Sequence, residues 1–159
     1  MQINTYRDLT VWQMAMDLVE EVYVLTRLFP ADERFGLTAQ ARRAATSIPS
    51  NIAEGYGRIH RGDYVHHLSI ARGSLMELET QLLTGIRLKF VTKDQAGKAW
   101  DLSQRVGKML TRLILSLDPQ RRPGDQSPDN ADIDAAQEQP SPYPIPDAPY
   151  PTAGRTEEH

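Results

Sequence analysis

The stretch from Gln40 to Arg58, QARRAATSIPSNIAEGYGR, constrains the chain most, because at helical spacing it carries two stripes instead of one. Leu37, Ala41, Ala44, Ile48 and Ile52 recur every three or four residues, the apolar face of a helix. Gln40, Arg43, Ser47, Asn51, Glu54 and Arg58 recur at the same spacing, turned by one residue, roughly 100°. A helix in a monomeric bundle needs only the apolar stripe. A polar stripe beside it points to a second contact, which could be a polar network inside a bundle, a subunit interface or a ligand surface. Pro49 sits inside the segment and removes the N–H partner of the Ala45 carbonyl. The unbroken polar stripe predicts one bent helix from about Arg34 to Arg58, with Ser47 and Ser50 bonding loose backbone groups. The alternative is two short helices, the second capped by Ser50.

The flanking segments repeat the amphipathic theme. Thr10-Val-Trp-Gln13 has the capping-box pattern, and Trp12, Ala15, Val19, Val22, Thr26 and Phe29 follow as an apolar line that Pro30 ends. Asp32 and Glu33 suit the positive start of the next helix. Gly55, Gly57 and Gly62 predict a left-handed exit from it. Asp63 then caps a third helix with the seam Tyr64, Leu68, Ala71, Leu75, Leu78, Leu82 and Ile86. Beside that seam Ser69, Gly73, Glu77, Thr80 and Thr84 form a small, polar line, which predicts the contact with the second helix. Thr92-Lys-Asp-Gln95 is another capping box, opening a fourth helix with Ala99, Leu102, Val106, Met109, Leu113 and Leu117. Four amphipathic helices on short links predict an all-α, up-down-up-down four-helix bundle over residues 1–117.

Composition changes after residue 117. Nine of the eleven prolines fall in 119–159, and residues 118–159 hold nine Asp+Glu against three Lys+Arg, a net of −6. Residues 1–117 hold fifteen Lys+Arg against twelve Asp+Glu, a net of +3, and together these give the −3 of the whole chain. The second segment buries too little apolar surface to offset its ordering entropy and reads as a disordered, acidic, Pro-rich tail. The chain has no cysteine, which excludes disulfides, thiolate metal sites and cysteine nucleophiles. It shows no signal-peptide pattern and no membrane-length apolar run, so a cytoplasmic protein without membrane contact is expected.

The segments YRDLTVWQMAMDL, FPADERFGLTAQARRAATSIPSNIAEGYGR and YVHHLSIARGSLMELETQL resemble the four-helix-bundle family named for the 23S rRNA intervening-sequence proteins. The resemblance covers roughly residues 6–117 and leaves out the tail. It implies a bacterial protein and a homopentamer, a ring of five bundles around a central channel. Distant relatives are accessory proteins of diversity-generating retroelements, which bind nucleic acid and a reverse transcriptase. This sequence looks more like the ribosomal branch, so a reverse-transcriptase partner is not implied.

Three candidate sites follow. Gln40, Arg43, Ser47, Asn51, Glu54 and Glu77 are expected to form a structural polar network fixing register, since charges of this kind must be paired when buried. Asp63-Tyr-Val-His66 is half of a carboxylate–histidine motif, but the second half is missing and His66 and His67 diverge by about 100°, so no metal site or cofactor is expected. No serine–histidine arrangement of a nucleophilic enzyme is present, and no catalytic residue is expected. Arg7, Arg58, Arg61 and Arg112 gather at one end of such a bundle, where a phosphate backbone of RNA or DNA would be held. A second basic group, Arg27, Arg34, Arg87, Lys89 and Lys93, gathers at the other end. The expected function is a non-enzymatic oligomer binding nucleic acid or a ribonucleoprotein through its basic ends, with the acidic tail competing for the patch. The alternative is a protein-interaction scaffold with no nucleic-acid contact.

Overall fold

The computed structural model describes residues 2–117; the expected tail, 118–159, lies outside the described residues. There are four helices, α1 (Thr10–Thr26), α2 (Leu37–Tyr56), α3 (Arg61–Arg87) and α4 (Lys93–Ser116), among the described residues, with short 3-10 turns at Tyr6–Asp8 before α1 and Ala31–Glu33 before α2. No strand occurs among the described residues. Contact pairs between α2 and α3 run in reverse order, Ser47 with Ser74, Asn51 with His67 and Tyr56 with Tyr64, so these helices are antiparallel. The same holds for α3 and α4, where Glu79 meets Ser103 and Gln104, and Leu75 lies against Gly107. At the end of α1, Thr26 meets Arg42 near the start of α2. One core of Leu, Ile, Val and Ala, including Leu18, Ile48, Leu75, Leu78 and Leu110, lies among the four helices.

α2 is a single uninterrupted helix with Pro49 inside it and buried. Ser50 Oγ donates to the Thr46 carbonyl at 2.8 Å, not to that of Ala45. Ser47 does not repair backbone at all; its hydroxyl faces α3. The helix opens at Leu37, later than expected, because residues 31–33 form a separate 3-10 turn whose Glu33 carboxylate accepts from the Leu37 N–H at 2.8 Å. That bond satisfies one orphan donor of the first turn and adds negative charge at the positive helix end.

Several local expectations are corrected. No capping box forms at Thr10: Leu9 is the N-cap residue and Gln13 reaches back to the Arg7 carbonyl. The buried face of α1 is Val11, Ala15, Leu18, Val22, Leu25 and Thr26, so Ala15, Val22 and Thr26 are buried as expected while Trp12 and Val19 are only half-buried at its edge. α4 keeps Ala99 and Val106 buried as expected but adds Ala96, Trp100, Ser103 and Leu110 in place of Leu102, Met109, Leu113 and Leu117, and its Thr92–Gln95 capping box forms as expected, with bonds of 3.1 and 2.9 Å. None of Gly55, Gly57 and Gly62 supplies a left-handed exit. Gly57 ends α2 at φ −75°, and Gly62 lies within α3.

The left-handed residue among the described non-glycines is instead Lys89, at φ 60° after α3. There the Phe90 N–H bonds the Gly85 carbonyl and the Lys89 N–H that of Ile86, the paired bonds of a Schellman motif. Phe90 packs on Phe29, with ring centroids 5.7 Å apart, and Phe29 in turn fills the space beside Gly85.

Candidate functional site

The polar stripe of α2 becomes a chain of contacts to α3. Ser47 Oγ and Ser74 Oγ are 2.8 Å apart. Asn51 Nδ2 donates to the Ser47 carbonyl at 2.8 Å and to Ser47 Oγ at 3.1 Å. Asn51 Oδ1 lies 3.2 Å from His67 Nδ1, and His67 Nε2 lies 3.7 Å from Glu54 Oε1. That same carboxylate oxygen accepts from Arg58 at 2.5 Å. The chain thus runs from half-buried hydroxyls at mid-helix to an exposed guanidinium at the helix end. The bonds lie at i, i+4 along α2 or across to α3, as helix geometry permits.

Close approach of the two helices makes these bonds reachable. Gly55 is buried, and a Cβ there would stand 2.8 Å from Tyr64 Cδ2 and 2.9 Å from His67 Cβ. Tyr56 and Tyr64 meet edge to face beside it. Burial, and then the neighbouring Tyr56, push the Tyr64 hydroxyl above its ordinary value, so it stays neutral at physiological pH.

The structure does not join Gln40, Arg43 or Glu77 to this chain. Gln40 and Arg43 are exposed, and Glu77 is exposed and accepts from Gln81 of its own helix at 3.2 Å. The reason lies in α3. Its expected contact line, Ser69, Gly73, Glu77 and Thr80, faces outward, with Ser69 and Thr80 bonding carbonyls of their own helix. Ser69 and Gly73 border an open groove with Arg72, Met76 and Ile114. The stripe that meets α2 runs through Tyr64, His67 and Ser74. Sequence periodicity alone missed Ser74 and the role of His67. The signal that could have found them is the small Gly55, which obliges a close neighbour.

Of the basic residues, Arg58 lies in the link 57–60 and Arg61 opens α3, and both are exposed. Arg7 stands on the Tyr6–Asp8 turn, which touches α1 and α2, and its guanidinium lies 5.6 Å from the Tyr6 ring centroid. Arg112 is half-buried and lies further along the bundle: the α3–α4 register sets it level with Ile70, more than two turns from Arg61. At the other end of α1, Arg42 ties α1 to α2. Its Nε donates to Thr26 Oγ1 at 2.9 Å and its guanidinium lies 4.5 Å from the Tyr23 ring centroid.

His66 and His67 have ring centroids 5.9 Å apart, and His67 is turned to Asn51 while His66 is exposed. No group of three or more His, Asp or Glu suited to hold a metal occurs among the described residues. No described helix is long and apolar enough to cross a membrane.

No curated protein matches the chain. A crystal structure of a protein of unknown function from the S23 ribosomal protein family of Bacteroides thetaiotaomicron superposes with a TM-score of 0.62 at 25% identity, covering 66% of this chain and 98% of that one. The pattern of the family described as 23S rRNA-intervening sequence protein matches residues 7–112. That span takes in all four helices almost whole, the Gly55 contact and every link of the polar chain: this protein belongs to the 23S rRNA-intervening sequence protein family.

Proposed function

We propose that the protein is a non-catalytic, self-assembling bundle that holds structured nucleic acid, or a ribonucleoprotein, by phosphate contacts at the α2–α3 link. The observation that carries this reading is the placement of two exposed arginines three residues apart at the helix junction, Arg58 within the four-residue link 57–60 and Arg61 as the first residue of α3. The N-terminus of α3 receives no side-chain cap from His60, which leaves first-turn N–H groups without that partner beside Arg61. A helix N-terminus flanked by arginine favours an anion. Arg7, on a turn that touches α2, adds a further positive group on that side, and Arg112 extends the basic surface along α4.

Assembly strengthens the reading. Fivefold repetition, as in the homopentamer that the resemblance implies, would turn a body of net +3 into a concentrated field. Phe35 at 87% and Ile59 at 95% exposure are large apolar side chains that the single chain leaves uncovered, and contact with another copy would bury them. These two residues also favour the second reading, a protein-interaction scaffold. A bacterial, cytoplasmic setting belongs to the same proposal.

The test is fluorescence anisotropy with an RNA hairpin across a salt series, with light scattering of the same samples to read the pentamer. Binding is expected to fall steeply with salt. An Arg58→Ala/Arg61→Ala variant should weaken it and flatten the log–log slope by about two. An unchanged slope in the double variant, or no binding at low salt, rejects the nucleic-acid reading in favour of the scaffold.

A further inference from the structure

We infer that His67 is a proton-operated switch on Arg58: a proton taken up at Nε2 draws the Glu54 carboxylate toward the imidazolium and frees the Arg58 guanidinium for an anionic ligand. The inference rests on the proposed function only in taking that ligand to be a phosphate backbone.

The hydrogen-bond chain fixes which ring nitrogen carries hydrogen. The Ser47 carbonyl can only accept, so the Asn51 atom bonded to it must be the amide nitrogen. That leaves Asn51 Oδ1, an acceptor, facing His67 Nδ1, which must therefore donate. In the neutral ring Nε2 is then a bare lone pair, aimed at Glu54 Oε1 from 3.7 Å. Two acceptors face each other with no hydrogen between them, beyond hydrogen-bond range. A proton from solvent at Nε2 turns this opposed pair into a charge-assisted bond without moving Asn51.

Glu54 is already engaged. Its Oε1, the atom nearest His67, accepts from Arg58, and both side chains of that pair are about half exposed, at 53% and 47%. Exposed i, i+4 pairs hold weakly. The His67 side chain, by contrast, is only 14% exposed, where a charge is less screened. The imidazolium therefore competes from the drier side for an oxygen that Arg58 holds from the wetter side.

The groups around the ring are few. From α2 come Glu54 and, through it, Arg58. From α3 come the exposed His66, Asp63 in the preceding turn and Tyr64, whose hydroxyl burial keeps neutral. The Tyr6–Asp8 turn touches α2 and brings Arg7 and Asp8, the latter accepting from the Asn4 and Thr5 N–H groups. α4 meets α3 along another stripe, Leu75 and Glu79, and its nearest charged residue by register is Arg112.

The experiment follows 15N-labelled full-length protein by NMR from about pH 8 to about pH 5.5. The expected result is a neutral His67 in the Nδ1–H tautomer, and an Arg58 Nε–H signal that shifts with the His67 titration in wild type and stays still in His67→Gln. Affinity for an RNA hairpin should rise about three- to tenfold over the same interval in wild type and in His66→Gln, and stay flat in His67→Gln. An Nε2–H neutral tautomer, or an Arg58 signal that ignores His67, overturns the switch. So does a His67→Gln protein whose RNA affinity keeps the wild-type pH dependence. Absence of RNA binding at every pH would sink the proposed function alone, since the NMR result still decides the switch.

Discussion

Gly55→Ala tests the contact on which the candidate site depends. In an open helix interior this substitution stabilises, by about 0.5–1 kcal/mol, because alanine loses less backbone entropy on folding. At residue 55 the new Cβ would stand 2.8 Å from Tyr64 Cδ2, 2.9 Å from His67 Cβ and 3.2 Å from the Tyr64 carbonyl oxygen. The ring carbon can swing aside. The other two atoms are fixed to the α3 backbone, so relief requires the helices to part. Overpacking of this kind costs roughly 1–3 kcal/mol, and with two rigid contacts the upper part of that range applies. Net destabilisation of about 1–2 kcal/mol should remain, a fall in Tm of roughly 3–10 °C for a bundle of this size. Gly73→Ala provides the reference, since Gly73 lies inside α3 with nothing within 4 Å of its added Cβ, and it should stabilise. Urea unfolding of both variants isolates the contact from helix propensity. A Gly55→Ala protein as stable as Gly73→Ala would refute the close approach of α2 and α3.

Two further outcomes are expected. Lys89 holds a left-handed φ of 60° in the Schellman turn after α3, so Lys89→Gly should stabilise by about 0.5–1 kcal/mol and Lys89→Val should destabilise; urea midpoints that fail to rank Gly above Lys above Val count against strain at this residue. Glu79 is half-buried, and burial raises its carboxyl above the ordinary 4.5 despite hydrogen bonds from Ser103 and Gln104 that lower it. The native state then binds the Glu79 proton more readily than the unfolded chain, and this group's contribution to stability falls as pH rises through that window. Glu79→Gln should accordingly be the more stable protein at neutral pH, with the gap closing as pH drops below the ordinary value; a gap independent of pH removes the burial argument.

Some features set by neighbouring residues were legible in the sequence, although the equally local Thr10–Gln13 box does not form. The Thr92–Gln95 capping box has both partners within one turn, and α2 stays whole across Pro49, as its unbroken polar stripe predicts. Features set by a distant partner were not. Periodicity finds that α3 has an apolar seam and a small-polar line, but a rotation of about 100° separates the line that faces α2 from the one that faces outward. Ser69, Gly73, Glu77 and Thr80 fit the small-polar pattern, yet His67 and Ser74, between that line and the apolar seam, meet Asn51 and Ser47. In α1 and α4 the buried face is displaced by less than one residue: Ala15, Val22, Thr26, Ala99 and Val106 are buried as expected, whereas half-buried Trp12 and Leu102 stand beside the buried Val11 and Ser103. For Gly55 the residue type was informative but its reason was not. Glycine near a helix end suggests a left-handed exit, and only the position of Tyr64 shows that it serves packing. For the site, the α2 members Ser47, Asn51, Glu54 and Arg58 were visible as one stripe, whereas their α3 partners were not.

The geometry of that stripe links two properties that a bundle could have kept apart. Ser47 and Asn51 bond partners on α3, so they fix the register of the two helices. Glu54 continues the same line toward the helix end and holds Arg58. The position of an exposed guanidinium is therefore tied to contacts that begin at the half-buried Ser47 hydroxyl, eleven residues before it. While that pair stands, the carboxylate occupies the guanidinium that an anion would need. Here the carboxylate that orients Arg58 lies within reach of a buried-side imidazole locked by Asn51. The polar stripe, which an ordinary bundle helix would not need, is in this way both the packing device of α2 and the support of its basic end.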